Sequence, residues 1–131
     1  LKGSKGMIVY QEHQGSVNQL LNGGSVNPGD KLRFELTGLP DGEIVVFGAE
    51  SNGEFYPIYP LRSISSVPYS SKRKGPLPGA VALDSSLGQE WLYLVHCPES
   101  FTISDLQAEI PSVTAPAGCE VTSFAFNKVM D

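Results

Sequence analysis

The chain has 131 residues, 40% of them hydrophobic and 18% charged, with a formal net charge of −5. That length suits a single domain, which buries roughly two-thirds of the surface its unfolded chain exposes, and the composition is far from that of a disordered chain. The acidic balance argues against sequence-independent binding to nucleic acid, which needs a basic face to displace counterions from phosphates.

With 14 glycines and 10 prolines, a turn former falls about every five or six residues, which suits many short strands better than long helices. Met7 to Glu12 and Val17 to Leu21 read as an opening hairpin around His13-Gln14-Gly15. The turn-rich stretch Gly23 to Asp30 feeds Lys31 to Leu36, whose strict alternation puts Leu32, Phe34 and Leu36 on one face and three charges on the other. Ile44 to Phe47 is an unbroken apolar run, the mark of a central strand covered on both faces. Asn52-Gly53 predicts a tight hairpin in which both residues take positive φ, with Phe55 to Tyr59 as the returning strand.

Residues 60–79 hold a serine-rich patch, several prolines and Lys72-Arg73-Lys74, and read as a long surface loop. Val81 to Leu83 is a further strand, and Trp91 to Val95 is a second apolar run for a sheet centre. Ser104 to Ile110 predicts one short helix, capped by Ser104 and stopped by Pro111. Glu120 to Val129 alternates, with Phe124 and Phe126 on one face, and brings the count to about eight strands. No apolar run approaches the ~20 residues of a membrane-spanning helix. Leu1 to Gly6 lack the apolar stretch of a signal peptide, so any export signal or membrane tether is expected in a segment absent from this sequence.

The two cysteines, Cys97 and Cys119, end one predicted strand and begin the next. Antiparallel pairing of those strands would bring them within disulfide reach, the alternative being two buried reduced thiols. No activated-nucleophile motif is present, and His96 and Cys97, as strand neighbours, point to opposite faces. His13, a solvated hairpin residue, and His96, satisfied by backbone groups, lie outside zinc-ligand spacing. Glu43, Glu50, Glu54, Asp84 and Glu90 read as an acidic surface from which no catalytic pair stands out. No glycine loop fits a nucleotide, so no catalytic residue, metal or cofactor is expected.

Two surface features remain. The run Phe55 to Arg62 places Tyr56 and Ile58 opposite Phe55, Pro57 and Tyr59. Exposed aromatics there, beside Arg62, would suit a protein interface or stacking on sugar rings, the alternative being that both sets pack, one into the sandwich and one under the long loop. Lys72, Arg73 and Lys74 gather three of the nine basic residues and read either as a solvated, mobile loop tip or as a dock for an anionic partner or a lipid headgroup.

Leu1-Lys2-Gly3, the segment Val26 to Phe34, and Leu77 to Asp84 leading into Glu90 to Val95 together carry a family likeness. In these the chain resembles the uncharacterised β-sandwich domains that follow a membrane-spanning segment in bacterial anti-sigma-factor-like and kinase-associated proteins. The resemblance implies an extracytoplasmic, periplasmic or envelope domain, sensory or partner-binding, without established catalytic residues. The expected fold is an all-β, two-sheet antiparallel sandwich of immunoglobulin-like character spanning residues 1–131, its core including Leu32, Phe34, Val46, Trp91, Leu94, Phe124 and Phe126. The expected function is non-catalytic binding of a protein partner through the long loop and adjacent sheet edge. A glycan-binding module using Tyr56, Tyr59 or Trp91 is the second reading, and an enzyme of unknown type the third.

Overall fold

The computed structural model describes residues 6–130, so Leu1-Lys2-Gly3 of the family likeness lie outside the described residues. Twelve strands occur among them: β1 (Gly6–His13), β2 (Ser16–Leu20), β3 (Ser25–Val26), β4 (Lys31–Thr37), β5 (Gly42–Ala49) and β6 (Phe55–Tyr59), then β7 (Val67–Tyr69), β8 (Val81–Ala82), β9 (Gly88–Cys97), β10 (Gln107–Glu109), β11 (Ser112–Thr114) and β12 (Glu120–Lys128). One sheet runs β2-β1-β4-β8 and the other β3-β12-β9-β5-β6, with β7 also on β5, while β10 and β11 form a separate ribbon. All pairings are antiparallel except β3 with β12. The expected count of about eight was too low: each of those eight segments carries a strand, and the additional β3, β7, β10 and β11 are two or three residues long, too short for alternation to register.

The opening hairpin closes on Gln14 and Gly15, both at positive φ (49° and 84°), the twist that matches paired strands. At the second hairpin only Gly53 is at positive φ (88°). There the Gly53 N–H donates to Glu50 O and the Glu50 N–H to Glu54 O, so the loop is longer than the two-residue turn expected.

The two sheets face one another across Val9, Leu32, Phe34 and Leu36 on one side and Ile44, Val46, Leu92, Leu94 and Phe126 on the other. Full burial of each such side chain contributes roughly 1.5–3 kcal/mol. Phe124 is half-buried against this core. Trp91, expected in it, lies on the opposite face of β9, because residues 91 and 94 on a strand point apart. That second face is also apolar: Val45, Phe47, Tyr93 and Val95 are buried under Phe101, Ile103, Leu106, Ile110 and Val113. Strands β5 and β9 are therefore dry on both sides, as their unbroken apolar runs require.

The covering segment is where the predicted helix fails. Ile103–Asp105 makes a single 3-10 turn, whose Thr102 N–H donates to Asp105 Oδ2 at 2.9 Å, and residues 107–109 are extended. A two-turn helix is marginal in isolation, and here the chain turns at Ile110-Pro111 so that β11 pairs back on β10 and Val113 joins Ile103, Leu106 and Ile110 against the sheet. The Tyr93 hydroxyl fastens this cover by donating to Pro111 O at 2.8 Å. The 60–79 loop is likewise partly docked. It contributes β7 to the edge of β5, buries Tyr69 and Leu77, and joins β4 through Leu77 N–H to Phe34 O at 2.7 Å.

Cys97 and Cys119 form a disulfide across the adjacent ends of β9 and β12, with a sequence separation of 22. Closing a loop of that length restricts the unfolded chain by about 3 kcal/mol. The denatured, unreduced protein should accordingly titrate no free thiol, and reductant should lower the urea-unfolding free energy by about that amount.

Candidate functional site

Beside edge strand β6 the surface opens into a cleft of about 410 Å³, walled by Phe47 and Phe55, by Leu61 and Ile64 of the long loop, and by Ile103 and Leu106 of the cover. Three segments distant in sequence are held together here by backbone bonds. Ile103 N–H donates to Ile64 O and Ser66 N–H to Phe101 O, both at 2.8 Å, while the Ser66 hydroxyl donates to Glu43 Oε1 at 2.8 Å and accepts from Phe101 N–H. Phe55 stands edge-on to Phe47, which stacks on Tyr93 with ring centroids 5.2 Å apart, so the cleft floor continues into the buried layer. Phe55, Leu61 and Ile64 remain 48%, 62% and 66% exposed. These three side chains form a clustered apolar patch rather than single scattered exposed residues. Arg62 is the one charged residue lining this cleft, and it makes no hydrogen bond or ion pair among the described residues.

The sequence-predicted residues divide. Tyr56 and Arg62 line the cleft. Tyr59 lines a neighbouring cleft of about 330 Å³ with Phe34, Ile58 and Val81. A bulge on β6, where Val46 pairs with Tyr59 but Phe47 with Pro57, lets both Ile58 and Tyr59 pack on the core. Lys72, Arg73 and Lys74 are exposed and line neither cleft; the Arg73 guanidinium turns back to Pro76 O. Among the described residues Phe55 is the sole exposed aromatic, as Tyr56, Tyr59 and Trp91 are half-buried. The Tyr56 ring lies over Gly48, where a Cβ would come within 2.2 Å of Cζ, so only glycine fits beneath it. Its hydroxyl donates to Glu90 Oε1 at 3.1 Å, and burial, reinforced by the Glu90 charge, pushes its pKa far up.

That bond leads to a charged cluster the sequence reading missed. Lys128 and Glu90, whose side chains are 1% and 4% exposed, pair at 2.6 Å beneath the inner face, and Lys128 Nζ also pairs with the more exposed Asp84. The Ser86 N–H donates to Asp84 Oδ1, and the single Ser86 hydroxyl proton is shared between Asp84 Oδ1 and Glu50 Oε1. The signal was present: Lys128 stands in register with Phe124 and Phe126, and Glu90 with Leu92 and Leu94, so alternation alone points both charges inward. Burial by itself would depress the Lys128 ammonium, but the two carboxylates hold it above its ordinary value. Hydrogen bonding from Lys128, then Ser86, holds Asp84 down to about 2. Glu50, Asp84 and Glu90 each offer an oxygen within 4.8 Å of the others, a spacing metals use, but the Lys128 ammonium already sits on two of the three.

His13 departs from its expected solvated state: Nδ1 lies 2.5 Å from Asp30 Oδ1. Burial raises the Asp30 pKa, and bonds from Asn27 N–H, the Gln11 amide and His13 outweigh this and leave it lowered. His96 Nε2 lies 2.9 Å from Pro40 O, the backbone partner expected of it. No helix among the described residues is long and apolar enough to cross a membrane. Comparison with known proteins finds no matching family model, no matching curated protein and no matching solved structure.

Removing Lys128 strands a buried carboxylate. Lys128→Met should cost about 3–5 kcal/mol in urea unfolding, and Lys128→Met with Glu90→Gln should recover much of it, because no buried charge is then left unpaired. A depressed carboxyl stabilises the fold above its unfolded pKa and ceases to as pH falls through its folded one. The stability advantage of wild type over Asp84→Asn should therefore be complete above pH 3.8 and vanish as pH falls toward about 2, as measured by urea midpoints along a pH series.

Proposed function

We propose that this domain is a non-catalytic interaction module of a bacterial envelope protein, with an immunoglobulin-like sandwich carrying a docking cleft for a protein partner. The observation that supports the reading is the apolar cleft at the junction of sheet edge and long loop, with Phe55, Leu61 and Ile64 exposed and one unpaired guanidinium, Arg62, among its lining residues. The partner that complements it is a segment presenting apolar side chains beside a carboxylate. Covering each of Leu61 and Ile64 is worth roughly 1.5–3 kcal/mol, and a desolvated Arg–carboxylate pair adds directional selectivity.

The disulfide is in keeping with an oxidising, extracytoplasmic compartment, as is the resemblance to domains that follow a membrane segment. The charged groups beneath the inner face pair chiefly with one another, which favours a structural role for them over acid–base chemistry. Tyr56, Tyr59 and Trp91, the rings on which the glycan reading rests, are half-buried, which favours the protein partner over it.

Selection of a displayed random-peptide library on the folded domain should enrich apolar sequences containing an acidic residue. The selected peptides should bind Leu61→Asp or Ile64→Asp at least tenfold more weakly, and Arg62→Glu should lose selectivity for the acidic residue. Peptides that bind all variants equally, or binding confined to a glycan array, would overturn the proposal.

A further inference from the structure

Every sheet edge presents unpaired backbone groups, and proteins blunt such edges with proline, bulges, charge or shortness. Here β3 and β8 are two residues long, β7 is three residues with Pro68 inside, β6 holds Pro57 and a bulge, and the β10–β11 ribbon has three residues a side. Strand β2 has none of these devices. It runs five residues, Ser16-Val17-Asn18-Gln19-Leu20, in unbroken register with β1, without proline or charge, and is followed by Leu21. Leu20 is buried in the core, while Val17 and Leu21 are 58% and 67% exposed.

The register fixes which backbone groups are free. A two-residue hairpin loop closes on a hydrogen-bonded pair, here His13 with Ser16, and hydrogen-bonded and non-hydrogen-bonded pairs then alternate. Ser16, Asn18 and Leu20 therefore direct N–H and C=O to β1, and Val17 and Gln19 direct theirs outward. Neither Val17 nor Gln19 makes any other backbone bond among the described residues.

We propose that β2 is a self-association edge, pairing antiparallel with β2 of a second copy about a two-fold axis through Asn18. That register sets Val17 opposite Gln19 of the other copy on both sides of the axis, so all four outward N–H and C=O groups on each copy are satisfied reciprocally. It also places Asn18 against its own counterpart. A carboxamide has both donor and acceptor, so it complements itself. Ser16 to Leu20 carry no charge, so no like charges meet across the axis and the repulsion between two molecules of net charge −5 is least at this edge. An edge of five residues makes a small interface, hence a weak, concentration-dependent dimer.

Sedimentation of the full chain from micromolar to millimolar concentration should show mass rising toward twice the monomer value. Asn18→Asp and Asn18→Lys, each placing like charges on the axis, should weaken self-association at least tenfold. An equimolar mixture of the two should restore dimerisation to wild-type strength or better, which also shows that both variants remain folded. A wild type monomeric throughout, a dimer unaffected by Asn18→Asp, or a mixture that fails to pair would overturn the proposal.

Discussion

Strands β5 and β9 lie side by side through continuous register from Glu43↔Cys97 to Ala49↔Trp91, and neither has a face that tolerates water. A sheet with one such face needs a single partner layer, and one with two needs a second. The four-stranded sheet supplies the first layer. The second is a largely irregular strip, residues 101–119, that regular secondary structure does not extend far enough to hold. Its attachment therefore falls to individual bonds: the disulfide at one end, the Tyr93 hydroxyl on Pro111 O in the middle, and the backbone bonds to residues 64 and 66 at the other. The apolar cleft follows from this arrangement, since it opens where the strip meets the long loop and the edge of β6.

Between the sheets the same demand for dryness gives way to a buried ion pair at Lys128 and Glu90. A buried ion pair gains little over apolar packing, because desolvation offsets its Coulomb attraction. What it adds is geometry: Lys128 on β12 ties Glu90 on β9 to Asp84 in the turn that precedes it, and Tyr56 on β6 joins through its hydroxyl. Tyr56 lines both the charged pocket and the apolar cleft, so the wall of that cleft is anchored on the polar network.

Much of this was legible in the sequence wherever one periodicity acted alone. Lys31 to Leu36 alternates cleanly because β4 has one wet face, and Ile44 to Phe47 and Trp91 to Val95 read as central because nothing polar interrupts them. The same uniformity hid the direction of Trp91, since a strand apolar on both sides gives alternation nothing to distinguish. The segment 104–110 misled because Leu106 and Ile110 suit a helical face as well as an extended cover, and long-range packing on β5 and β9 decided between them. Of the site, Tyr56 and Arg62 were visible as an aromatic–basic run, whereas Ile103 and Leu106 meet them only through tertiary pairing.

The two proposed contact surfaces occupy opposite sides of the sandwich. The β8 end of the small sheet adjoins β6, since Val81 and Tyr59 line one cleft, whereas the chain leaving β2 meets β12 through Gly23 N–H to Ala125 O. Two copies joined through β2 would therefore carry their apolar clefts on the outer flanks, away from the two-fold axis and clear of the shared edge. A weak dimer of that form has a use that neither surface has alone. For a partner with two or more docking segments, the second engagement becomes intramolecular, and avidity exceeds the affinity of a single cleft without any new contact.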